Sequence, residues 1–266
     1  KVIVPPYDVI AADERGDFFD RDAHNAIRFE LTRDVADEAA TDYSEIAETL
    51  EAWQKSGVLV RDPAPGYYVL RQRFNAPDGQ TLERTGFYCE LGLEEYERRV
   101  VLPHERTLAG PKADRLKVLR AARANLSSVF LLYEDREAAL AESLDSAFGE
   151  AGEPLGRARD DAGVDYELAR LTRPEAVSQI QSFLADRACV IADGHHRYET
   201  ALEYRRQQRE ATGDTSGTAP FDSTLAYLAN AYAPGSLLLP IHRVIRRVPA
   251  PDNQAWASRL PGWTCQ

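Results

Sequence analysis

Two histidines and an arginine stand side by side in the segment ACVIADGHHRYETALE, at residues 188–203. Its apolar run predicts a buried strand, its Asp-Gly pair predicts a tight turn, and a helix is predicted to begin at His195. A helix N-terminus has free N–H groups and a partial positive charge, so it attracts anions. Arginine adds a planar fork for phosphate, and histidine binds metals or moves protons. The segment predicts an anion or nucleotide site; the alternative is a helix cap with surface His and Arg.

A second polar cluster is the motif LPHERT. Its proline fixes the backbone before His104, and Glu105 is suited to act as a general base or as a metal ligand. Arg106 and Thr107 are suited to bind phosphate oxygens. The alternative is a surface loop that contains a Glu–Arg ion pair.

Three further polar residues extend this set. Lys112 and Arg115 lie close in sequence to HERT, near the start of a helix predicted at Ala113–Ala124, and they predict a phosphate clamp. The alternative for this basic segment is a charged, solvent-facing helix surface. Asp8 follows Pro-Pro-Tyr and is suited to bind a metal or a ribose, although an aspartate at such a place is also typical of a turn.

Standard nucleotide and hydrolase motifs are missing from the sequence. It contains no GxxxxGK[ST] loop, no GxGxxG after a strand, no HExxH, no paired CxxC and no GxSxG. The residue types that are present favour acid–base or metal-assisted phosphate chemistry over covalent catalysis by Ser or Cys.

The elements that must position these motifs are recognisable from their patterns. Gly66–Phe74 and Thr81–Leu91 are aromatic and β-branched, flank the turn sequence APDGQ and predict a β-hairpin. The alternating AIRFEL predicts a strand at Ala26–Leu31. Two helices are predicted, Arg136–Phe148 with Asp135 as its cap and one that begins at Pro174.

The order of these elements favours a fold class. Strands and helices alternate irregularly, and a hairpin coexists with strand–helix units, which favours an α+β fold with a mixed sheet and flanking helices. We expect a single domain over residues 1–266, with two subregions that meet at a loop near 151–161.

Composition excludes several classes of function. The formal charge of −11 disfavours nucleic acid as a partner. No apolar run is long enough for a membrane span and no signal-peptide pattern is present, so we expect a cytoplasmic protein without a membrane partner. Cys89, Cys189 and Cys265 lie far apart, and the first two occur in apolar runs that predict buried thiols.

The motifs together resemble a known family. PPYDVI, NAIRFEL, HERT, IADGHHRYETAL and LPIHRV, in this order, resemble domain-of-unknown-function family 1015 of bacteria and archaea over nearly the whole chain. Members of that family are longer, which implies that this sequence is incomplete at both ends. The DGHHR block also resembles the GERR-type block of the ParB/sulfiredoxin superfamily, where a strand, a turn and a helix start bind nucleotide phosphates. By that likeness the phosphates would lie on Gly194, His195, His196 and Arg197.

These observations predict a nucleotide-dependent phosphotransferase or nucleotide hydrolase that acts on a small metabolite, with ATP or CTP and Mg²⁺. The residues assigned are Arg197 and His196 with the helix amides for the phosphates, Glu105 or Asp193 as base or magnesium ligand, and His104 and His195 as acid–base or electrostatic groups. One alternative is a non-catalytic regulator that binds a nucleotide or metabolite. Another is a metal-dependent phosphatase that uses the two carboxylates with His104 and His195. The sequence does not determine the oligomeric state.

Overall fold

The structure of the chain is a computed structural model that describes residues 1–33, 41–107, 109–149 and 152–238. The backbone of 109–111 and of Asp8 is described, whereas their side chains lie outside the described part, as do Cys265 and the motif LPIHRV. The contacts divide the chain into two units, Lys1–Ser236 and Leu237–Gln266, and the description that follows concerns the first of them.

The elements of this unit are seven α-helices, eight strands and short 3-10 turns in the described residues. The helices are α1 (Arg15–Arg21), α2 (Ile27–Glu30), α3 (Ser44–Lys55), α4 (Ala109–Ala122), α5 (Ala141–Asp145), α6 (Pro174–Leu184) and α7 (His195–Thr212). The strands are β1 (Tyr67–Asn75), β2 (Thr81–Gly92), β3 (Val101–Leu102), β4 (Val129–Tyr133), β5 (Glu153–Arg159), β6 (Asp165–Leu171), β7 (Cys189–Asp193) and β8 (Ser223–Asn230).

The strands of the described residues form one mixed sheet in the order β3-β7-β4-β8-β2-β1-β6-β5. The pairs β3–β7 and β4–β8 are parallel, and the other pairs are antiparallel. Hairpins and strand–helix units therefore share one sheet with helices packed around it. The expected α+β fold with a mixed sheet is confirmed.

The hairpin prediction is confirmed. β1 and β2 pair from Tyr68 and Tyr88 down to Asn75 and Thr81, and the backbone N–H of Ala76 donates to the carbonyl of Gln80 at 2.8 Å. Gly79 has a φ of +86°, a conformation that favours glycine and that closes the turn. The helix predicted to begin at Pro174 is also confirmed, as α6.

The hydrophobic core joins the centre of the sheet to its helices. Val69, Phe87 and Leu131 are fully buried on the strands, and they belong to one cluster with Ile180 of α6 and Tyr198 of α7. Full burial of side chains of this size contributes about 1.5–3 kcal/mol each, so the sheet centre and the start of α7 form a rigid platform.

The strand predicted at Ala26–Leu31 is wrong, because Ile27–Glu30 form the short helix α2. The cause is the fully buried side chain of Asn25. Its Oδ1 accepts the N–H of Ile27 at 2.9 Å, and its Nδ2 donates to the carbonyl of Lys1 at 2.6 Å. The bond to Ile27 satisfies an N–H group at the start of a helical turn. Its stabilising effect outweighs the preference for a strand that the alternating pattern indicates.

Two further predictions are corrected by hydrogen bonding. Asp135 accepts the N–H groups of Ala139 and Leu140, so it closes a turn, and the helix predicted at Arg136–Phe148 is reduced to α5 and a 3-10 turn. Residues 153–159 of the loop predicted near 151–161 form β5, which pairs with β6 at the edge of the sheet.

The cysteines carry no disulfide in the described residues. Cys189 is buried and Cys89 is partly buried, as predicted from their apolar surroundings. Burial raises the pKa of Cys89 to about 12 and that of Cys189 to about 11, so both thiols stay protonated near neutral pH. Within the described residues no helix has the length and apolar character needed to span a membrane.

Replacing the buried amide should destabilise the protein. Asn25→Ala leaves the Ile27 N–H and the Lys1 carbonyl without their partner, so we expect the free energy of unfolding to fall by about 1–3 kcal/mol in urea titration. Asn75→Ala is the control, because Asn75 is exposed and should change stability by less than about 0.5 kcal/mol. Equal effects of the two changes would contradict this account of α2.

Candidate functional site

The candidate site lies where two parallel strands end. β3 and β7 pair in parallel through Val101–Cys189 and Leu102–Val190, so their carboxyl ends point to the same edge of the sheet. The HERT loop follows β3, and Gly194 and α7 follow β7. Polar groups that leave a sheet at adjacent carboxyl ends are placed close together, as in many α/β ligand sites.

Gly194 makes the sharp turn from β7 into α7. Its φ of +91° suits glycine, and a Cβ on it would lie 3.0 Å from Nε of Arg197. Gly194 is the N-cap of α7 and, having no side chain, supplies no cap hydrogen bond. The first turn of α7 also contains no acidic residue. The start of the helix therefore supplies no carboxylate or hydroxyl of its own to the leading N–H groups and the positive end of the dipole.

His195 joins the helix to the HERT loop. Only 1% of its surface is exposed. The backbone N–H of His104 donates to Nε2 at 3.2 Å, and Nδ1 lies 3.3 Å from Oε1 of Glu105. Because Nε2 accepts, the neutral ring carries its proton on Nδ1, the nitrogen that lies next to the Glu105 carboxylate. The ring of His104 packs edge-on against that of His195, with 4.5 Å between centroids.

Burial decides the charge of this histidine. Removal from water lowers the pKa of His195, and although the nearby Glu105 carboxylate acts in the opposite direction, it does not outweigh burial. A neutral imidazole is also the form that accepts the His104 N–H. The imidazole thus holds the HERT loop in place as an uncharged group near neutral pH.

A second contact ties the same loop one turn further along α7. Glu199 follows His195 by four residues, so both lie on one face of the helix. The Oε2 of Glu199 accepts hydrogen bonds from Thr107 Oγ1 at 2.5 Å and from Lys112 Nζ at 2.8 Å. Burial opposes the charge of Glu199, but these bonds outweigh it, so its pKa is lowered and it stays ionised.

Arg197 is directed to a different part of the site. Its Nη2 lies 2.5 Å from Oδ2 of Asp193, and its Nη1 donates to the carbonyl of Ser128, just before β4. The side chain is 20% exposed. The guanidinium therefore joins the end of β7 to the start of β4 and already has two oxygen partners.

The groups open to a ligand are mainly on the loop and the strand end. His104, Glu105 and Arg106 are exposed, with 51% of the Glu105 side chain accessible, and 63% of the Asp193 side chain is accessible. The Nε2 of His104 lies 3.4 Å from the carbonyl of Ala192. Two carboxylates and one exposed imidazole thus lie on the segments next to the start of α7.

Arg115 lies in a different cluster from His195 and Glu199. It is 7% exposed, its Nη2 pairs with Asp114 at 2.8 Å, and its Nη1 donates to the carbonyl of Glu30 at 3.2 Å. Its guanidinium also lies 4.1 Å from the ring centroid of Tyr7. Arg115 thus holds the PPYDV turn against α4; the backbone of Asp8 belongs to that turn.

Metal ligands are not clustered in the described residues: no group of three or more His, Cys, Asp or Glu side chains there is placed to hold a metal ion. Magnesium needs fewer protein ligands, since it usually takes one or two carboxylates together with substrate phosphates and water. Glu105 and Asp193 are exposed carboxylates of that kind.

A family model described as a protein of unknown function (DUF1015) matches residues 1–261. The chain belongs to the DUF1015 family. This confirms the family to which the motifs pointed, from PPYDVI to IADGHHRYETAL. Searches of curated proteins and of solved structures returned no match for this DUF1015 chain.

Sequence reasoning missed Glu199 in this DUF1015 site. Its position four residues after His195 was the available signal, because residues at that spacing share a helix face. It also missed how Tyr198 fixes the helix. The Tyr198 hydroxyl donates to the carbonyl of Glu94 at 2.8 Å and accepts the Glu94 N–H at 3.0 Å, and burial raises its pKa to about 12.

The stability of this DUF1015 protein should depend on His195 in mild acid. The folded state lowers the pKa of His195 below its ordinary 6.5, so the unfolded chain binds the proton first and acid favours unfolding. We expect the free energy of unfolding to fall between pH ~7.5 and pH ~5, and to fall less in His195→Gln. Urea titrations at the two pH values measure both slopes.

His24→Gln is the control, because half of the His24 side chain is exposed and its contacts are with Asp22 and Trp53. The change of slope in His195→Gln should exceed the change in His24→Gln. An equal slope in His195→Gln and the unmodified protein would contradict the neutral, buried state of His195.

Proposed function

We propose that the protein binds the phosphates of a nucleotide, ATP or CTP with Mg²⁺, at the start of α7, and transfers or hydrolyses a phosphoryl group. One observation carries this proposal. The HERT loop is fastened to α7 through His195 and Glu199, and this places exposed polar side chains beside a helix N-terminus whose N-cap is a glycine. Such a terminus favours an anion.

The phosphate oxygens would accept the leading N–H groups of α7, as at other helix starts that follow a glycine turn. His196 lies in that first turn and Arg106 in the adjacent loop, and both would add hydrogen bonds to the phosphates. Arg197 would act through Asp193 and Ser128, by fixing the strand ends on which the turn is built.

The exposed acid–base groups suggest the chemical step. The hydroxyl of a small metabolite, or water, would attack the terminal phosphorus, the bond to the bridging oxygen would break, and the nucleoside diphosphate would leave. The proton of the attacking hydroxyl would pass to Glu105 or His104. His195 would position Glu105 for this role, because it holds the neighbouring His104 N–H on Nε2 and its Nδ1 lies 3.3 Å from the carboxylate.

Magnesium would arrive with the nucleotide. It neutralises charge on the phosphate oxygens, and Glu105 or Asp193 would supply its protein ligand. The phosphatase alternative, which needs a metal held by the protein itself, stays a prediction.

The choice of a nucleotide is supported by sequence likeness. The DGHHR block resembles the GERR-type block of the ParB/sulfiredoxin superfamily, whose members bind nucleotide phosphates at a strand–turn–helix start. In this chain Gly194 makes such a turn between β7 and α7. The likeness therefore favours a nucleotide over a simple phosphate ion as the ligand.

A non-catalytic regulator is the second candidate, and one observation favours it. His195, Arg197 and Glu199 are all held by other protein groups, which leaves fewer side chains for a chemical step. Binding alone requires fewer free side chains than catalysis does. Nucleotide binding without turnover would select this candidate.

Reversing the electrostatics of the first turn tests the binding site. His196→Glu adds an acid where the helix dipole favours it by about 0.3–1 kcal/mol, partly offset by repulsion from Glu199, so the fold should keep its stability. The same charge repels phosphate, and we expect the affinity for the nucleotide to fall at least about tenfold in isothermal titration with Mg²⁺.

Gln208→Glu is the matched control, because it makes the same change of charge three turns further along α7 and should leave the affinity unaltered. Should ATP, CTP and GTP all fail to bind the unmodified protein, or should His196→Glu bind as well as it does, the proposed phosphate site is wrong.

Glu105→Gln separates binding from chemistry. The loop is held by the His104 N–H and by Thr107, and the amide has nearly the shape of the carboxylate, so the loop should keep its place while the negative charge and the base are lost. We expect nucleotide affinity to be equal or higher and turnover to fall about 100-fold or more. Phosphate release and product formation measure turnover, with Glu97→Gln, on an exposed 3-10 turn, as the control.

Full turnover in Glu105→Gln would remove Glu105 from the chemical step. Absent turnover in the unmodified protein, with binding intact, would favour the regulator.

A further inference from the structure

A cavity lies between α4 and α7, away from the HERT loop. Its volume is about 210 Å³. Its walls come from the end of α4, the middle of α7 and the 3-10 turn Pro220–Asp222 before β8. Arg123, Ala201, Tyr204 and Phe221 are among the residues that line it.

The cavity is distinct from the proposed phosphate site. Tyr204 lies nine residues after His195 on α7, which corresponds to about 14 Å along the helix axis. None of the HERT residues lines it. A ligand here would therefore contact different side chains from a phosphate at the start of α7.

Arg123 is the unusual residue of this cavity. It follows the last residue of α4 with a φ of +50°, and its N–H donates to the carbonyl of Leu119 at 2.9 Å, as in a helix that ends in a left-handed residue. Glycine or asparagine is preferred at such a position, because a larger side chain adds strain there. Arginine at this place suggests a use for its side chain.

The guanidinium of Arg123 is free to bind a ligand. The side chain is exposed and makes no ion pair or hydrogen bond with any described residue. Arg120, one turn earlier on α4, is instead held by Gln207 through bonds of 2.7 and 3.1 Å. An unpartnered arginine beside a cavity is suited to a carboxylate, which it binds with two parallel hydrogen bonds.

The other walls suit a flat ring. Tyr204 and Phe221 are both partly buried and contribute aromatic surface, and Ala201 is a small residue that leaves room between the helices. The wall at Phe221 is fixed, because the next residue, Asp222, pairs with Arg209 of α7 at 2.5 Å. A cavity of roughly 150 Å³ holds one benzene ring, so this volume admits one ring with a small substituent.

We propose that this cavity binds a small aromatic or heteroaromatic carboxylate, with its ring between Tyr204 and Phe221 and its carboxylate on Arg123. The ring would be held by apolar contact and offset stacking, and the charged group would give the selectivity for an anion over a neutral molecule of the same shape. The proposal is independent of the nucleotide site.

Binding of benzoate and of neutral benzyl alcohol to the whole chain tests the proposal. Nicotinate and indole-3-carboxylate widen the set of anions, and saturation-transfer NMR with titration gives the affinities. We expect at least one carboxylate to bind, benzyl alcohol to bind more weakly, and Arg123→Gly to weaken the carboxylate at least about tenfold. Glycine suits the left-handed position, so this variant should unfold at the same or a higher temperature.

Arg99→Gly is the matched control. Arg99 is also left-handed, with a φ of +57°, and it does not line the cavity, so its variant should bind as the unmodified protein does. Phe221→Leu removes the ring contact while keeping an apolar side chain, and it should weaken carboxylate and alcohol alike.

Three results would overturn the proposal. These are no binding of any of the three carboxylates, equal binding in Arg123→Gly and the unmodified protein, and equal loss in Arg123→Gly and Arg99→Gly. An unfolding temperature of Arg123→Gly that equals or exceeds that of the unmodified protein excludes unfolding as the cause of lost binding.

Discussion

A buried, uncharged imidazole is the interaction on which the site depends. His195 accepts the backbone N–H of His104 on Nε2, which only the neutral ring can do, and its Nδ1 lies 3.3 Å from the Glu105 carboxylate. Burial keeps the ring neutral by penalising the charged form. Two segments that are ninety-one residues apart in sequence are thereby held in one geometry.

The backbone architecture makes that contact possible. Parallel pairing of β3 with β7 brings their carboxyl ends together, and α4 then runs alongside α7 in the same direction. Contacts at the two ends of this helix pair show the direction: Thr200 donates to the carbonyl of Lys112, and Arg120 donates to Gln207. The same helix pair lines the cavity near Arg123, so the candidate site and the cavity are built on one structural unit.

Local patterns predicted the elements whose stabilising interactions are also local. The hairpin of β1 and β2 is specified by its turn sequence and its β-branched and aromatic strands, and the start of α7 by the glycine that precedes it. The strand prediction for AIRFEL was wrong because its alternation is typical of a strand, whereas the hydrogen bonds of Asn25 stabilise a helical turn. The prediction of Asp135 as the cap of a helix at Arg136–Phe148 was wrong, because its carboxylate closes a turn with Ala139 and Leu140 before α5 begins.

The sequence by itself determined the family, the α+β class and the two motifs that meet at the site, because these depend on residue order and on short-range pattern. Only the tertiary structure decided which side chains are available. Arg197 and Arg115 look equally suited to phosphate in the sequence, yet each is held by oxygens that the fold brings from distant segments. Glu199 belongs to the site because Thr107 of the HERT loop and Lys112 of α4 donate hydrogen bonds to it. Hydrogen-bond partners of this kind come from segments that are far apart in sequence and adjacent in the fold, so the spacing of residues along the chain does not reveal them.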